Sequence, residues 1–179
     1  MRLSLLLLAL LVTPAYAGTL VGVTHPEQIT VEGNALLLNG QGVRKKYFLS
    51  IYVGSLYLKS KTTDAAKAIH DDAPKRLVMH FLYAVDKDKL VATYNEGLSK
   101  QNHPNSLKER YDKLYGMLGK VNSGEEIAFE YVPGRGTTVS VKGQNKGTIA
   151  GVDFMRSLFQ IYLGDSPPTA DLKKGMLGG

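Results

Sequence analysis

Arg44 is the residue whose type and position most constrain the chemistry of this chain. In the segment ALLLNGQGVRKKYFLSIYVGSLYLK, Ala35 to Lys59, it stands between a short apolar run, Leu36-Leu37-Leu38, and a stretch from Tyr47 dense in aromatic and β-branched residues. Asn39 to Gly42 reads as a Gly-rich break between the two. A guanidinium keeps its charge at every accessible pH, so beside strands this apolar it calls for an anion or a carboxylate partner. Spacing alone leaves two readings open: Arg44, Lys45 and Lys46 form a solvated basic turn, or Arg44 is the floor of a ligand pocket. Tyr52 lies eight residues further on, which on one straight strand is roughly 26 Å at about 3.3 Å per residue. The two side chains can therefore meet only if the chain reverses between them, near Lys45-Lys46.

Other chemistry is sparsely represented. The chain has no cysteine, which excludes thiol catalysis, thiolate metal sites and disulfides. His80 interrupts an apolar strand and reads as a buried, hydrogen-bonded histidine; no second histidine lies at ligand spacing, and no metal is expected. Glu125 and Glu126 read as a turn entering a strand. There is no GxSxG elbow, no HExxH and no glycine-rich phosphate loop, and the four scattered histidines form no triad visible in sequence, so no cofactor is expected.

The elements that must position Arg44 follow from hydrophobic period. Ile29 to Val31 and the Leu-rich run, joined by Glu32-Gly33-Asn34, predict a hairpin. TTDAAKAIHDD, residues 62 to 72, predicts a short helix capped by Thr62 or Thr63, with Asp64 in its first turn and Pro74 behind its end. RLVMHFLYAV, residues 76 to 85, is apolar on both alternating faces and predicts a central strand covered on both sides. Two helices follow. The first is striped by Leu90, Val91, Tyr94 and Leu98; the second, capped by Ser106 after the break at His103-Pro104-Asn105, by Leu107, Tyr111, Leu114, Tyr115 and Leu118. Period two then returns at Ile127, Phe129 and Tyr131 and at Val139 and Val141, with reversals at VPGRG and GQNKG. Phe154 to Leu163 predicts an apolar helix lying on the sheet, and Thr169 caps a last short helix running to Met176.

Residues 1–17 have the pattern of an export leader: Arg2, an apolar stretch from Leu5 to Val12, and Ala15-Tyr16-Ala17 before the expected cut. That stretch is shorter than the roughly 20 residues a spanning helix needs, and no later segment approaches such a length, so no transmembrane span is expected after cleavage. Residues 18–179 are expected to form a single domain, periplasmic or secreted. Their charged residues give a mild basic excess without the aromatic-basic interleaving of single-strand binders, so nucleic acid is not an expected partner.

GQGVRKK followed by IYVGSLYL resembles the paired signature of the chalcone isomerase-like superfamily, a glycine-flanked arginine strand leading into a strand that ends in an aliphatic-Tyr-Leu pattern. FMRSLFQIYLGDSPPTADLKKGMLG resembles the closing helices of its small exported bacterial members. The resemblance implies an α+β fold, an antiparallel sheet with a layer of helices on one face, agreeing with the order of elements above. It implies that Arg44 either steadies an oxyanion, as in the isomerases, or grips a carboxylate, as in the fatty-acid binders. It puts Tyr52 where the isomerases carry a threonine and the fatty-acid binders a tyrosine, and Asn95 on the helix of a substrate-holding asparagine. Lys75 and Arg76 stand near a strand lysine of the isomerases without aligning cleanly.

The expectation is a non-catalytic domain binding a small amphipathic acid, such as a fatty acid, through Arg44, Tyr52 and Asn95 in a cleft between sheet and helices. The alternatives are an isomerase of chalcone type, with Arg44 as its one assigned catalytic group, and a scaffold or partner-binding protein with a vestigial cleft.

Overall fold

The computed structural model describes residues 18–101 and 107–179; residues 1–17, where the leader is expected, and the segment with His103, Pro104, Asn105 and Ser106 lie outside them. Seven strands form one antiparallel sheet whose spatial order is their order in the chain: β1 (Gln28–Val31), β2 (Asn34–Lys46), β3 (Leu49–Leu58), β4 (Lys75–Phe81), β5 (Glu126–Val132), β6 (Gly136–Val141) and β7 (Gln144–Ile149). Helix α1 (Ala65–His70) links β3 to β4, α2 (Lys87–Ser99) and α3 (Lys108–Met117) link β4 to β5, and α4 (Val152–Leu163) and α5 (Ala170–Met176) close the chain. Among the described residues no helix is long and apolar enough to cross a membrane.

Period-two alternation sorts the strands' side chains between the two faces. Tyr52, Leu56 and Leu58 of β3, Leu77, Met79 and Phe81 of β4, Ile127, Phe129 and Tyr131 of β5, and Val139 and Val141 of β6 share one core with the helices. On the opposite face a smaller cluster of Val31, Leu36, Leu38, Tyr57, Val78 and Ala128 forms, and the lead-in before β1 crosses this face, Tyr57 donating its phenol to Pro26 O at 3.0 Å. Helix α4 buries eight of its twelve residues. At about 1.5–3 kcal/mol for each large apolar side chain, this fixes it to the sheet. Helix α2 buries only Leu90 and Tyr94 of thirteen residues.

Several expectations are corrected in detail. The predicted Gly-rich break is no break: β2 runs through Asn39 to Gly42 with a register shift between Leu38 and Gly40. The glycines serve a close approach instead. A Cβ on Gly40 would stand 2.2 Å from Gly175 O, one on Gly42 2.2 Å from Leu172 O, and one on Gly175 2.3 Å from Gln41 O, so α5 lies backbone against backbone on β2. Asn39 fastens the contact, donating to Met176 O at 2.8 Å while its Oδ1 accepts from Thr62 N at 2.7 Å. Helix α1 is capped by Asp64, not by Thr62 or Thr63: its carboxylate accepts from Ala66 N and Lys67 N. Strand β7 occupies the polar GQNKG segment read as a reversal; the turn is Lys142-Gly143, and the strand is an exposed edge that buries only Ile149, so it carries no apolar alternation to read.

Lys75 opens β4 with a side chain buried to 1% exposure. Its ammonium donates to Ala68 O at 2.6 Å, satisfying a carbonyl that the short α1 leaves unpaired at its C-terminus, and stands 5.5 Å from the Phe159 ring centroid. Burial lowers its pKa to about 8, with Asp71 acting in the opposite direction. The unfolded chain holds this proton up to the ordinary lysine range, so between pH 8 and 10 it binds more protons than the folded state, and stability rises with pH. Urea unfolding is expected to show a gain of about 2 kcal/mol across this window, absent in Lys75→Met. The window closes near pH 10, where unfolded tyrosines ionise while burial keeps Tyr94 and Tyr111 protonated in the fold.

Candidate binding site at Arg44 and Tyr52

The β2–β3 turn falls at Tyr47-Phe48 and brings Arg44 directly opposite Tyr52 in the ladder. Both belong to the face that meets the helices. Gly40 and Gly42 precede Arg44 on that face and are covered by α5; Arg44 comes two residues later, past the stretch the helix protects. Its guanidinium carbon lies 5.8 Å from the Tyr52 ring centroid, and that ring packs on Phe81 with centroids 5.5 Å apart.

Among the described residues no carboxylate forms an ion pair with Arg44. Its Nε is buried without a hydrogen-bond partner among the described residues, which costs about 1–3 kcal/mol unless a ligand supplies the acceptor. One carboxylate that feels its field is Glu96 of α2, but Glu96 pairs with Lys100 at 2.8 Å, and this hydrogen bond is the main reason its pKa lies below the usual range. The arrangement leaves a half-buried cation facing a phenol, with an acceptor position open.

The phenols around it are held neutral. Burial raises Tyr52 well above the ordinary tyrosine pKa, with Arg44 opposing; burial likewise raises Tyr94 and Tyr162, whose hydroxyls meet at 2.8 Å. Tyr162 also donates to Met79 Sδ at 3.1 Å. Such groups offer hydrogen bonds and an apolar wall; none supplies a phenolate base at neutral pH.

The remaining sequence candidates lie elsewhere. Asn95 is on α2 and exposed, its Oδ1 accepting from Tyr115 at 2.7 Å rather than from Arg44 or Tyr52. Lys75 caps α1, and Arg76 points to the opposite face, where it pairs with Glu130 at 2.5 Å. His80 is half-buried and donates from Nδ1 to Glu126 Oε1 at 3.0 Å. Sequence reasoning missed Glu96 and the Tyr94–Tyr162 pair; each tyrosine is legible as a helical stripe position, but their meeting across 68 residues is not.

The family described as chalcone isomerase-like matches residues 17–178. The chain belongs to this family. A search of curated proteins finds no match. Among solved structures, the chalcone isomerase-like fold seen here is similar to the crystal structure of a fatty-acid binding protein of Arabidopsis thaliana, with TM-score 0.70 and 16% sequence identity, covering 87% of this chain and 92% of that one. The seven-stranded antiparallel sheet with its helices is thus the fold of the family.

Proposed function

We propose that this chalcone isomerase-like domain is exported and holds a small amphipathic acid, such as a fatty acid, without transforming it. The observation that carries the reading is Arg44: a half-buried guanidinium whose Nε has no partner and whose charge no carboxylate of the described residues pairs with. A carboxylate accepts two parallel hydrogen bonds from that fork, while Tyr52 bounds the site on the neighbouring strand. Behind Tyr52 lie Phe81 and Tyr94, an apolar wall suited to an alkyl chain. Helix α2, which buries only two of its thirteen residues, is held loosely enough to move aside for the chain. The neutral phenols favour holding over turnover, and the likeness to an Arabidopsis fatty-acid binding protein supports an acid of this class. The leader pattern in residues 1–17 supports export.

The test is the ligand itself. Protein purified under native conditions and extracted for mass spectrometry is expected to carry a long-chain acid in near-stoichiometric amount, and stripped protein to rebind a fluorescent fatty-acid analogue. With a chalcone it is expected to give racemic product at the buffer rate. An empty protein that rebinds no acid would overturn the reading.

A further inference from the structure

On the face of the sheet opposite the helices, three side chains far apart in sequence converge. His25, from the lead-in, points Nε2 at Glu126 Oε1 of β5, 3.4 Å away; His80 of β4 points Nδ1 at the same oxygen, 3.0 Å away. The three ligand atoms all lie within 4.8 Å of one another. We propose that His25, His80 and Glu126 form a binding site for a borderline divalent metal ion, Zn²⁺ or its chemical neighbours, that fastens the lead-in to the centre of the sheet.

Two imidazoles and a carboxylate are the donor set such ions prefer over Ca²⁺ or Mg²⁺, and three protein ligands leave a position for water. With bonds of about 2.0–2.2 Å, ligand atoms around a tetrahedral ion sit roughly 3.3–3.6 Å apart, close to the spacing already present. An ion inserted among them replaces the hydrogen bonds to Glu126 and calls for small rotations of the three ligating side chains. The second nitrogen of His25 is already held: Nδ1 lies 3.0 Å from Ser55 Oγ and 2.9 Å from the Gln41 amide, and Ser55 is fully buried. Without an ion, Gln41 Nε2 donates to Nδ1 and Nε2–H faces Glu126; on metal binding the proton moves to Nδ1 and is donated to Ser55 Oγ, the Gln41 amide turns its oxygen inward, and the Nε2 lone pair goes to the ion. Support of this kind orients ligands in metal sites. Access is open on one side, since the His80 and Glu126 side chains keep 25% and 36% of their surface while His25 keeps 10%. The lead-in needs such a clip: in it Val23 and His25 alone are fully buried.

Untagged protein dialysed against chelator and titrated with Zn²⁺ alone is expected to bind one equivalent with Kd below about 10 μM. At a hundredfold excess over Kd the Tm is expected to rise by about 5–10 °C. Co²⁺ alone is expected to give visible d–d bands of a nitrogen-oxygen site. Glu126→Gln and His80→Gln are each expected to weaken Zn²⁺ at least about 100-fold while their metal-free Tm stays near that of the parent, and Ser55→Ala to weaken it about tenfold. Arg44→Ala is expected to bind Zn²⁺ normally, so failure here is distinct from failure of the acid site. No saturable binding, or binding that survives both Glu126→Gln and His80→Gln, overturns the proposal.

The β2–β3 turn carries an independent signal. Tyr47 and Phe48 at its tip are 89% and 90% exposed, Lys45 and Lys46 beside them are also exposed, and Tyr47 is held at φ 55°, a left-handed conformation unfavourable for an aromatic residue. No acidic residue occurs between Glu32 and Asp64. We infer that this tip docks on an anionic lipid surface, the lysines supplying attraction and the rings entering the headgroup region. The chain has no tryptophan, so Phe48→Trp is a lone reporter. Its emission is expected to shift to the blue with phosphatidylglycerol/phosphatidylcholine vesicles, and to lose that shift when Lys45→Gln and Lys46→Gln are added. No shift with these vesicles, or an equal shift with pure phosphatidylcholine, overturns the inference.

Discussion

Arg44→Ala is expected to weaken binding of a long-chain acid by about 30–150-fold, a loss of roughly 2–3 kcal/mol for a charge-assisted contact. Displacement of a fluorescent fatty-acid analogue measures it. The same substitution is expected to leave Tm unchanged or slightly raised, because it removes a half-buried cation that no carboxylate of the described residues pairs with. That combination separates a binding residue from a structural one. Arg44→Lys retains charge but loses the two-pronged geometry and is expected to recover only part of the affinity. Equal retention of the acid by Arg44→Ala and the parent would place the carboxylate elsewhere.

Gly42→Val is expected to be the most damaging single change to stability. Its Cβ would sit 2.2 Å from Leu172 O and 2.8 Å from that residue's carbonyl carbon and Cα, all backbone atoms of α5 that cannot rotate aside. The helix must lift from β2, exposing Leu172 and Met176, both fully buried. A cost of about 3–5 kcal/mol follows from the clash and the lost burial, or a fall in Tm of roughly 10–15 °C. Gly116→Ala is the control: nothing lies within 4 Å of a Cβ there, the site is helical, and a small gain of about 0.5–1 kcal/mol is expected. Thermal and urea unfolding of both variants decide the matter, and a Gly42→Val protein as stable as the parent would show that α5 is not held by this contact.

What could be read from the chain in advance was whatever repeats at short range. The hairpin of β1 and β2, the central strand (read over residues 76 to 85, found at Lys75–Phe81), the apolar α4 and the Thr169 cap of α5 follow from period and capping chemistry that neighbouring residues carry. The glycines of β2 were legible as unusual, but not why, because loop glycine and close-packing glycine look alike until the covering helix, some 130 residues later, is in place. The edge strand β7 escaped for a related reason: exposed on nearly every residue, its placement comes from the β6 ladder rather than from its own composition.

The same division runs through the two polar sites. That a permanent cation stands among apolar strands, and that the chain must reverse to bring Tyr52 beside it, is legible locally, since a guanidinium keeps its charge and a rise of about 3.3 Å per residue separates the two on a straight strand; whether that cation is solvated, paired or open is not. Register then set Arg44 opposite Tyr52, and the fold left Nε without a partner while turning Asn95 outward to Tyr115. His25, His80 and Glu126 show the limit most plainly. Separated by up to 101 positions, they have no spacing to read; only the pairing of β4 with β5, and the passage of the lead-in across them, sets three donor atoms around one point. Short-range period and charge lie in the chain itself, whereas convergence of distant side chains exists only once the sheet is assembled.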